Sequence, residues 1–396
     1  MLLNDEPASV AIVPEGEVTA RLCAFKERLS RRGLTGALVQ LKVDRFYLSG
    51  TAQDALLWVD AERDPVLWVL RDVGRARAET PVEVVPVRSR RELWSAARAA
   101  TQEGRVGIMA DSLSVAEFGR LNLSGTSVED VSPDLFELRS RKSAWEVEQM
   151  EAAGRVAAAG YAYAAEVLRE GMTEAELAGL LFAKMMSLGH EGLLRCRNFE
   201  AYPWHIVAGP NTLVAGANDS AVIGRGFTPA FPCGASLRPI RRGEPVMADF
   251  GATVFGYQTD QTRTICLGPA PEWLLEGHRK IEEVHAAAQR ALRPGATAAQ
   301  VFAAAEETAQ ALRLEGYLGP PERRCRFIGH GVGLETVESP ILAQGADLVL
   351  DEGMTVAVEP KAVFSGLGGF GVEDTFLITR DGPRPFAPVP LELIVV

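Results

Sequence analysis

Short apolar runs alternate with helical patterns over the first third of the chain. Residues 18–32 space their apolar side chains at helical intervals, and Gly33 and Gly36 stop the pattern. Runs at 36–41, 55–59, 65–70, 82–87 and 105–110 have strand length and are separated by turns, with helical patterns near 91–101 and from about Ser114. This alternation predicts an α/β domain over residues 1–140 with its own core. Residues 1 to about 15, with Pro7 and Pro14, read as a tail or edge extension. The charged stretch RSRKSAWE, 139–146, marks the boundary to a second domain at 143–396.

From Ser143 the pattern becomes that of long capped helices. Ser143 with Glu146, Thr173 with Glu176, and Thr297 with Gln300 are capping boxes, and Pro271 suits the first residue of a further helix. Two apolar hairpins are expected to follow the helix pairs. The first, within GEPVMADFGATVFGYQTDQTRT at 243–264, carries Asp249 and Asp260. The second carries Glu359 and, fourteen residues on, Glu373. Gly243 precedes Asp249 by six residues and Gly353 precedes Glu359 by six, so the two halves read as an internal repeat. Packing about a pseudo-twofold axis would bring four carboxylates to one interior point.

Composition narrows the function classes. At 396 residues, 47% hydrophobic and 23% charged, the chain is expected to form two or three globular domains. The net charge of −11 argues against nucleic-acid or anionic-membrane partners. No apolar run has membrane-spanning length, and the opening residues lack a signal-peptide layout, so a cytoplasmic location is expected. The five scattered cysteines, Cys233 among them, read as unpaired, unreactive thiols. Lysine is scarce: only Lys26, Lys42, Lys142, Lys184, Lys280 and Lys361, which reads as a compositional bias.

Four buried carboxylates need counter-charge. Ion pairing with arginines, Arg263 being adjacent, is the bland reading. The sharper one adds His330, in FIGHGVG, where flanking glycines permit close backbone approach. Four acids and one imidazole exceed what one tetrahedral zinc requires and suit two divalent ions sharing carboxylates. His278 and His285, seven apart, read as a solvated or interface helix face. His190 reads as a helix C-terminal dipole partner. His205, in AYPWHI, reads foremost as a satisfied core histidine and secondarily as a donor entering the site.

The motifs D-x-G at 249–251, G-Y-x-x-D-x-T-R-T at 256–264, G-H-G-V-G at 329–333, V-E-P at 358–360 and V-E-D-T at 372–375 resemble those of the pita-bread metallopeptidases, which include Xaa-Pro aminopeptidase, prolidase and creatinase. The resemblance implies a creatinase-type amino-terminal α/β domain followed by an α+β pita-bread domain. It implies that Asp249 binds one metal, that Asp260 and Glu373 bridge, and that His330 and Glu359 complete the second. Two Mn²⁺ ions, or Co, Zn or Fe, would hold a hydroxide that cleaves a short peptide or amide, with Glu359 as base and His205 as a further catalytic candidate. A homodimer is expected on the same ground. Three family positions depart: Gly216 and Val337 stand where histidines are expected, and Gly371 where proline peptidases carry an arginine. An added loop at 220–240 reads as a reshaped substrate wall or a plug. A metal-binding relative without peptidase activity and a creatinase-like enzyme on a small non-peptide substrate are the alternatives.

Overall fold

The computed structural model describes residues 11–102, 104–123, 126–197, 205–216, 219–387 and 389–396. Residues 1–10 of the opening tail and 198–204, just before His205, fall outside them, while Glu15, at the end of the expected tail, already begins a helix. The chain divides into two compact units, Met1–Arg139 and Ser140–Val396.

The first unit is a six-stranded sheet in the order β4-β3-β2-β1-β5-β6. Its strands are β1 (Gly36–Val39), β2 (Ala55–Asp60), β3 (Val66–Val69), β4 (Glu83–Pro86), β5 (Arg105–Ile108) and β6 (Ser127–Asp130). The helices are α1 (Glu15–Arg31), α2 (Lys42–Ser49), α3 (Val73–Glu79), α4 (Arg90–Ala100), α5 (Val115–Leu121) and α6 (Ser132–Ser140). The centrally placed β1 is buried throughout, antiparallel to β2 and parallel to β5. Its apolar run carries no alternation because both faces are covered. The short helices α2 and α3 have no counterpart in the sequence reading. Asp72 starts α3 by accepting a hydrogen bond from the Arg75 amide.

The second unit repeats one motif twice. α7 (Ala144–Val167) and α8 (Glu174–Met186) precede β7 (His205–Ala208), β8 (Pro245–Val254) and β9 (Tyr257–Cys266). Then α9 (Glu272–Ala291) and α10 (Ala298–Ala311) precede β10 (Phe327–Gly331), β11 (Glu338–Ala343), β12 (Thr355–Val358), β13 (Lys361–Phe364), β14 (Gly368–Gly371), β15 (Asp374–Thr379), β16 (Gly382–Pro385) and β17 (Ile394–Val395). All three expected capping boxes form reciprocally, at Ser143, Thr173 and Thr297. Pro271 stands at the N-cap of α9, one residue earlier than expected. The two halves also match in detail: each second-helix N-cap makes a bridge to a downstream segment, Thr173 with Pro239 and Thr297 with Val349.

Three sheets result, β17-β9-β8-β7, β11-β10-β12-β15-β16 and the ribbon β13-β14. The first hairpin is continuous over ten residue pairs. The second is interrupted on both strands, after Val358 and after Gly371, and Pro360 has no amide hydrogen to continue the ladder. Glu359 and Glu373 stand at those interruptions. α9 and α10 cover the second half with Ile281, Val284, Ala288 and Val301 in its core, and α7 and α8 cover the first. His278 and His285 are buried against this core, correcting the expectation of a solvated face, since an alanine-rich helix can present that stripe to either side. His190 accepts a hydrogen bond at Nδ1 from the Thr253 amide, and so anchors the helix end to β8 rather than acting on a dipole.

Candidate metal centre

Hairpin register sets the first two acids. Asp249 lies opposite Thr262 and Gly251 opposite Asp260. Directly opposed residues share a face and the side-chain period is two, so Asp249 and Asp260 project to the same side. The second half closes on this face through a bridge between Thr262 and Glu373, whose backbones exchange hydrogen bonds of 3.2 and 3.0 Å. Thr262 Oγ1 also donates to Glu373 Oε2 at 2.8 Å. Thr375 Oγ1 accepts from the Asp260 amide and donates to the Asp260 carbonyl, at 2.9 and 2.8 Å.

His330 arrives on β10, opposite Ala357 of β12. The glycines beside it are required by packing. A Cβ on Gly329 would stand 2.0 Å from the Ala357 carbonyl oxygen, and one on Gly331 would stand 2.3 Å from that of Ser339. His330 Nδ1 lies 3.1 Å from the Gly331 carbonyl oxygen. Donation there leaves Nε2 as the free ligand atom. Nε2 is 3.3 Å from Glu359 Oε1 and 4.0 Å from Asp260 Oδ2. Asp260, His330 and Glu373 each offer a ligand atom within 4.8 Å of the others, all three side chains being buried. Glu373 Oε1 is buried without a hydrogen-bond partner. An unpaired buried oxygen beside an oxygen-and-imidazole donor set fits one divalent cation.

A second ion would have to share the space with a cation the sequence reading passed over. Lys361 opens β13, its side chain only 3% exposed, and places Nζ 3.1 Å from Asp249 Oδ2, 2.5 Å from Glu359 Oε2 and 3.7 Å from Glu373 Oε2. Its signal lay in VEPK: lysine two residues after an acid that belongs to the cluster. Burial works against its charge, but Asp249, Glu359 and Glu373 outweigh it and hold its pKa well above the usual lysine value. Glu359, though buried, is held below the carboxylate range by Lys361 and His330. His330 is raised because Glu359 overcomes the effect of burial. Asp260 and Glu373 are raised, first by burial and then by the neighbouring acids. The charge is thus divided: an ionised side at Lys361 and a side poised to exchange protons for a metal.

The other expected residues are placed as follows. His205 pairs with Asp249 across β7 and β8, and its Nε2 is buried without a hydrogen-bond partner. Burial lowers its pKa. Arg263 does not neutralise the cluster. It is fully buried, bonded to Asp374 Oδ1 at 2.7 Å and to the carbonyls of Thr262, Glu373, Val389 and Pro390, so it ties the two halves together from behind. Gly216 has no room for a side chain, as a Cβ would stand 2.4 Å from Ile223 Cγ2. Val337 is half-buried. Gly371 lies opposite Lys361, and a Cβ there would stand 2.5 Å from Lys361 Cγ. Burial pushes the Cys233 thiol up to about 11.

The 220–240 loop is anchored by Glu174, which accepts from the Ala208 and Ser236 amides, Asn211 Nδ2 and Ser236 Oγ at 2.7–2.8 Å. A cavity of about 440 Å³ opens beside it, lined by Pro210, Asn211, Arg225, Phe227, Leu237 and Arg238 among others and by none of the five candidate ligands.

Comparison with known proteins assigns the class. Residues 148–380 match metallopeptidase family M24, and residues 21–141 match the creatinase/prolidase N-terminal domain. The chain belongs to metallopeptidase family M24, and its architecture is the creatinase-type domain followed by the pita-bread domain. A probable dipeptidase PepE of Mycobacterium tuberculosis is 31% identical over 65% of this chain, a match spanning 61% of that relative's length. An Xaa-Pro dipeptidase of Pyrococcus furiosus is 27% identical over 93% of this chain and 100% of its own. The crystal structure of the prolidase from Pyrococcus horikoshii superposes with a TM-score of 0.81 at 25% identity, covering 95% of this chain and 100% of that one. No helix among the described residues is long and apolar enough to cross a membrane.

Proposed function

We propose that the protein is a metal-dependent hydrolase of short peptides or amides, of the kind its Xaa-Pro dipeptidase relatives represent. The observation that carries this reading is the buried Asp260, His330 and Glu373 group with its unpartnered carboxylate oxygen. A bound divalent ion, Mn²⁺ being suited to this donor set, supplies Lewis-acid polarisation of an amide carbonyl and acidifies water. Glu359, kept ionised beside Lys361 and His330, serves as proton acceptor. His205, on the strand paired with that of Asp249, offers its free ring nitrogen to the substrate.

Gly216 and Val337 contribute no hydrogen-bonding side chain at the family's two histidine positions. Each missing donor costs roughly 10²–10³-fold in rate where nothing replaces it, which points to slow turnover of ordinary dipeptides. The test is hydrolysis of Ala-Pro, Gly-Pro and Xaa-Pro-Xaa peptides with Mn²⁺. Turnover lowered at least 10²-fold in Glu359→Gln, with chelator-sensitive wild-type activity, supports the reading. Equal rates in the two proteins would reduce it to contaminating activity. Homodimerisation, part of the same proposal, is checked by light scattering of the purified chain.

A further inference from the structure

We infer that Lys361 is a tethered cation standing in for one of the two metal ions, so that the centre holds a single divalent ion at Asp260, His330 and Glu373. The inference deepens the metal-dependent reading above and rests on it. Three observations carry it independently of any activity.

The first is position. Nζ lies against Asp249, Glu359 and Glu373 at 2.5–3.7 Å. Two of them, Asp249 and Glu373, are acids that an ion beside Asp249 would need, and the ammonium donates a hydrogen bond to the third, Glu359. An ion bound by Asp249 and Glu373 would press against the ammonium, with like charges in a low-dielectric interior.

The second is charge. Asp249, Asp260, Glu359 and Glu373 carry at most four negative charges. Lys361 with one divalent ion offsets three of them, whereas Lys361 with two ions sets five positive charges against four, an excess that only a bound hydroxide would balance.

The third is the partner position. Lys361 and Gly371 face one another in the β13–β14 ribbon, and any Cβ at 371 would collide with the lysine stem at 2.5 Å. The glycine that replaces the family's expected arginine is therefore the residue that gives Lys361 room. The open position at Gly371 and the buried cation at Lys361 are thus one structural unit of the ribbon.

Two other lysines are paired more simply: Lys142 pairs with Glu338 and donates to the Ser140 carbonyl, and Lys280 pairs with Glu276. Only a lysine with its stem sealed between strands can act as a fixed charge, since an exposed one would lose rotamer freedom for little return.

The experiment is metal stoichiometry on the purified full chain, stripped with chelator, reloaded with Mn²⁺ and measured by native mass spectrometry. One equivalent is expected for the wild type, and a twofold rise to two for Lys361→Ala, which removes charge and bulk together. Two equivalents in the wild type would overturn the inference and leave the metal-dependent reading standing. None in either protein would overturn both. Should Lys361→Ala fail to fold, the Mn²⁺ electron paramagnetic resonance of the wild type decides alone. The hyperfine pattern of an isolated ion supports the inference, and that of an exchange-coupled pair refutes it.

Discussion

Replacing Lys361 by methionine keeps most of the stem's volume and deletes the charge. In the folded protein Asp249, Glu359 and Glu373 would then face one another in the absence of metal with only His330, 3.3 Å from Glu359, left as counter-charge. Because the lysine side chain is 3% exposed and those of its partners 14% or less, water can do little to screen the loss. Removing one member of a buried ion pair costs about 3–5 kcal/mol, because the remaining charge is left uncompensated. The unit Ser140–Val396 is of a size for which each kcal/mol moves the melting midpoint by roughly 2–4 °C, so a fall on the order of 10 °C is expected. The assay is thermal unfolding followed by circular dichroism in excess chelator, which removes any metal from the comparison. A midpoint equal to or above that of the wild type would refute the reasoning, since it would mean that Lys361 compensates nothing.

Three further outcomes follow from the same geometry. Gly371→Ala should destabilise by about 1–3 kcal/mol through overpacking against the Lys361 stem, and much of that loss should vanish in a Lys361→Ala background; additive losses in denaturant titration would break the link between the two positions. His285, buried beside Arg263 and Asp374, has its pKa lowered to about 3 by burial and then by Arg263, against about 6.5 when unfolded. Below pH 6.5 the unfolded chain takes a proton that the native protein refuses, so this contribution is present above 6.5 and is lost toward pH 3, by up to about 1.4 kcal/mol per pH unit. Asp374, raised by burial to about 6 against the pull of Arg263, works in the opposite sense. The readout is therefore the difference between wild type and His285→Gln, and parallel pH–stability curves would contradict the assignment. Glu174→Ala strands four buried donors, costs about 1–3 kcal/mol and should speed amide exchange at Ala208 and Ser236; unchanged protection there would show that the loop is held otherwise.

Much of the frame was legible because it is written in local chemistry. Capping boxes need only three-residue spacing, so Ser143, Thr173 and Thr297 announced their helices. The Asp249 and Asp260 hairpin is a continuous apolar pattern broken by two acids, and its register follows from the turn at 255–256. Non-local facts were not legible. Spacing of seven placed His278 and His285 on one face of α9 without telling which side the core would take. The pairing of His205 with Asp249 depends on a strand more than forty residues away. Lys361 was hidden by composition: among so many arginines a lone lysine reads as bias, and only the closing of the second half onto the first shows what it faces. Glu359 and Lys361 do lie two residues apart in VEPK, which together with the missing side chain at Gly371 was the available clue.

In this reading one buried cluster holds two cations, a metal ion and the Lys361 ammonium. Crystals grown with Mn²⁺ and measured for anomalous scattering address this directly. The predicted result is one peak, ligated by Asp260, His330 and Glu373, with the Lys361 ammonium still against Asp249. A second peak bound to Asp249 with Lys361 turned away would contradict the tethered cation, and no peak at all would contradict the metal centre itself.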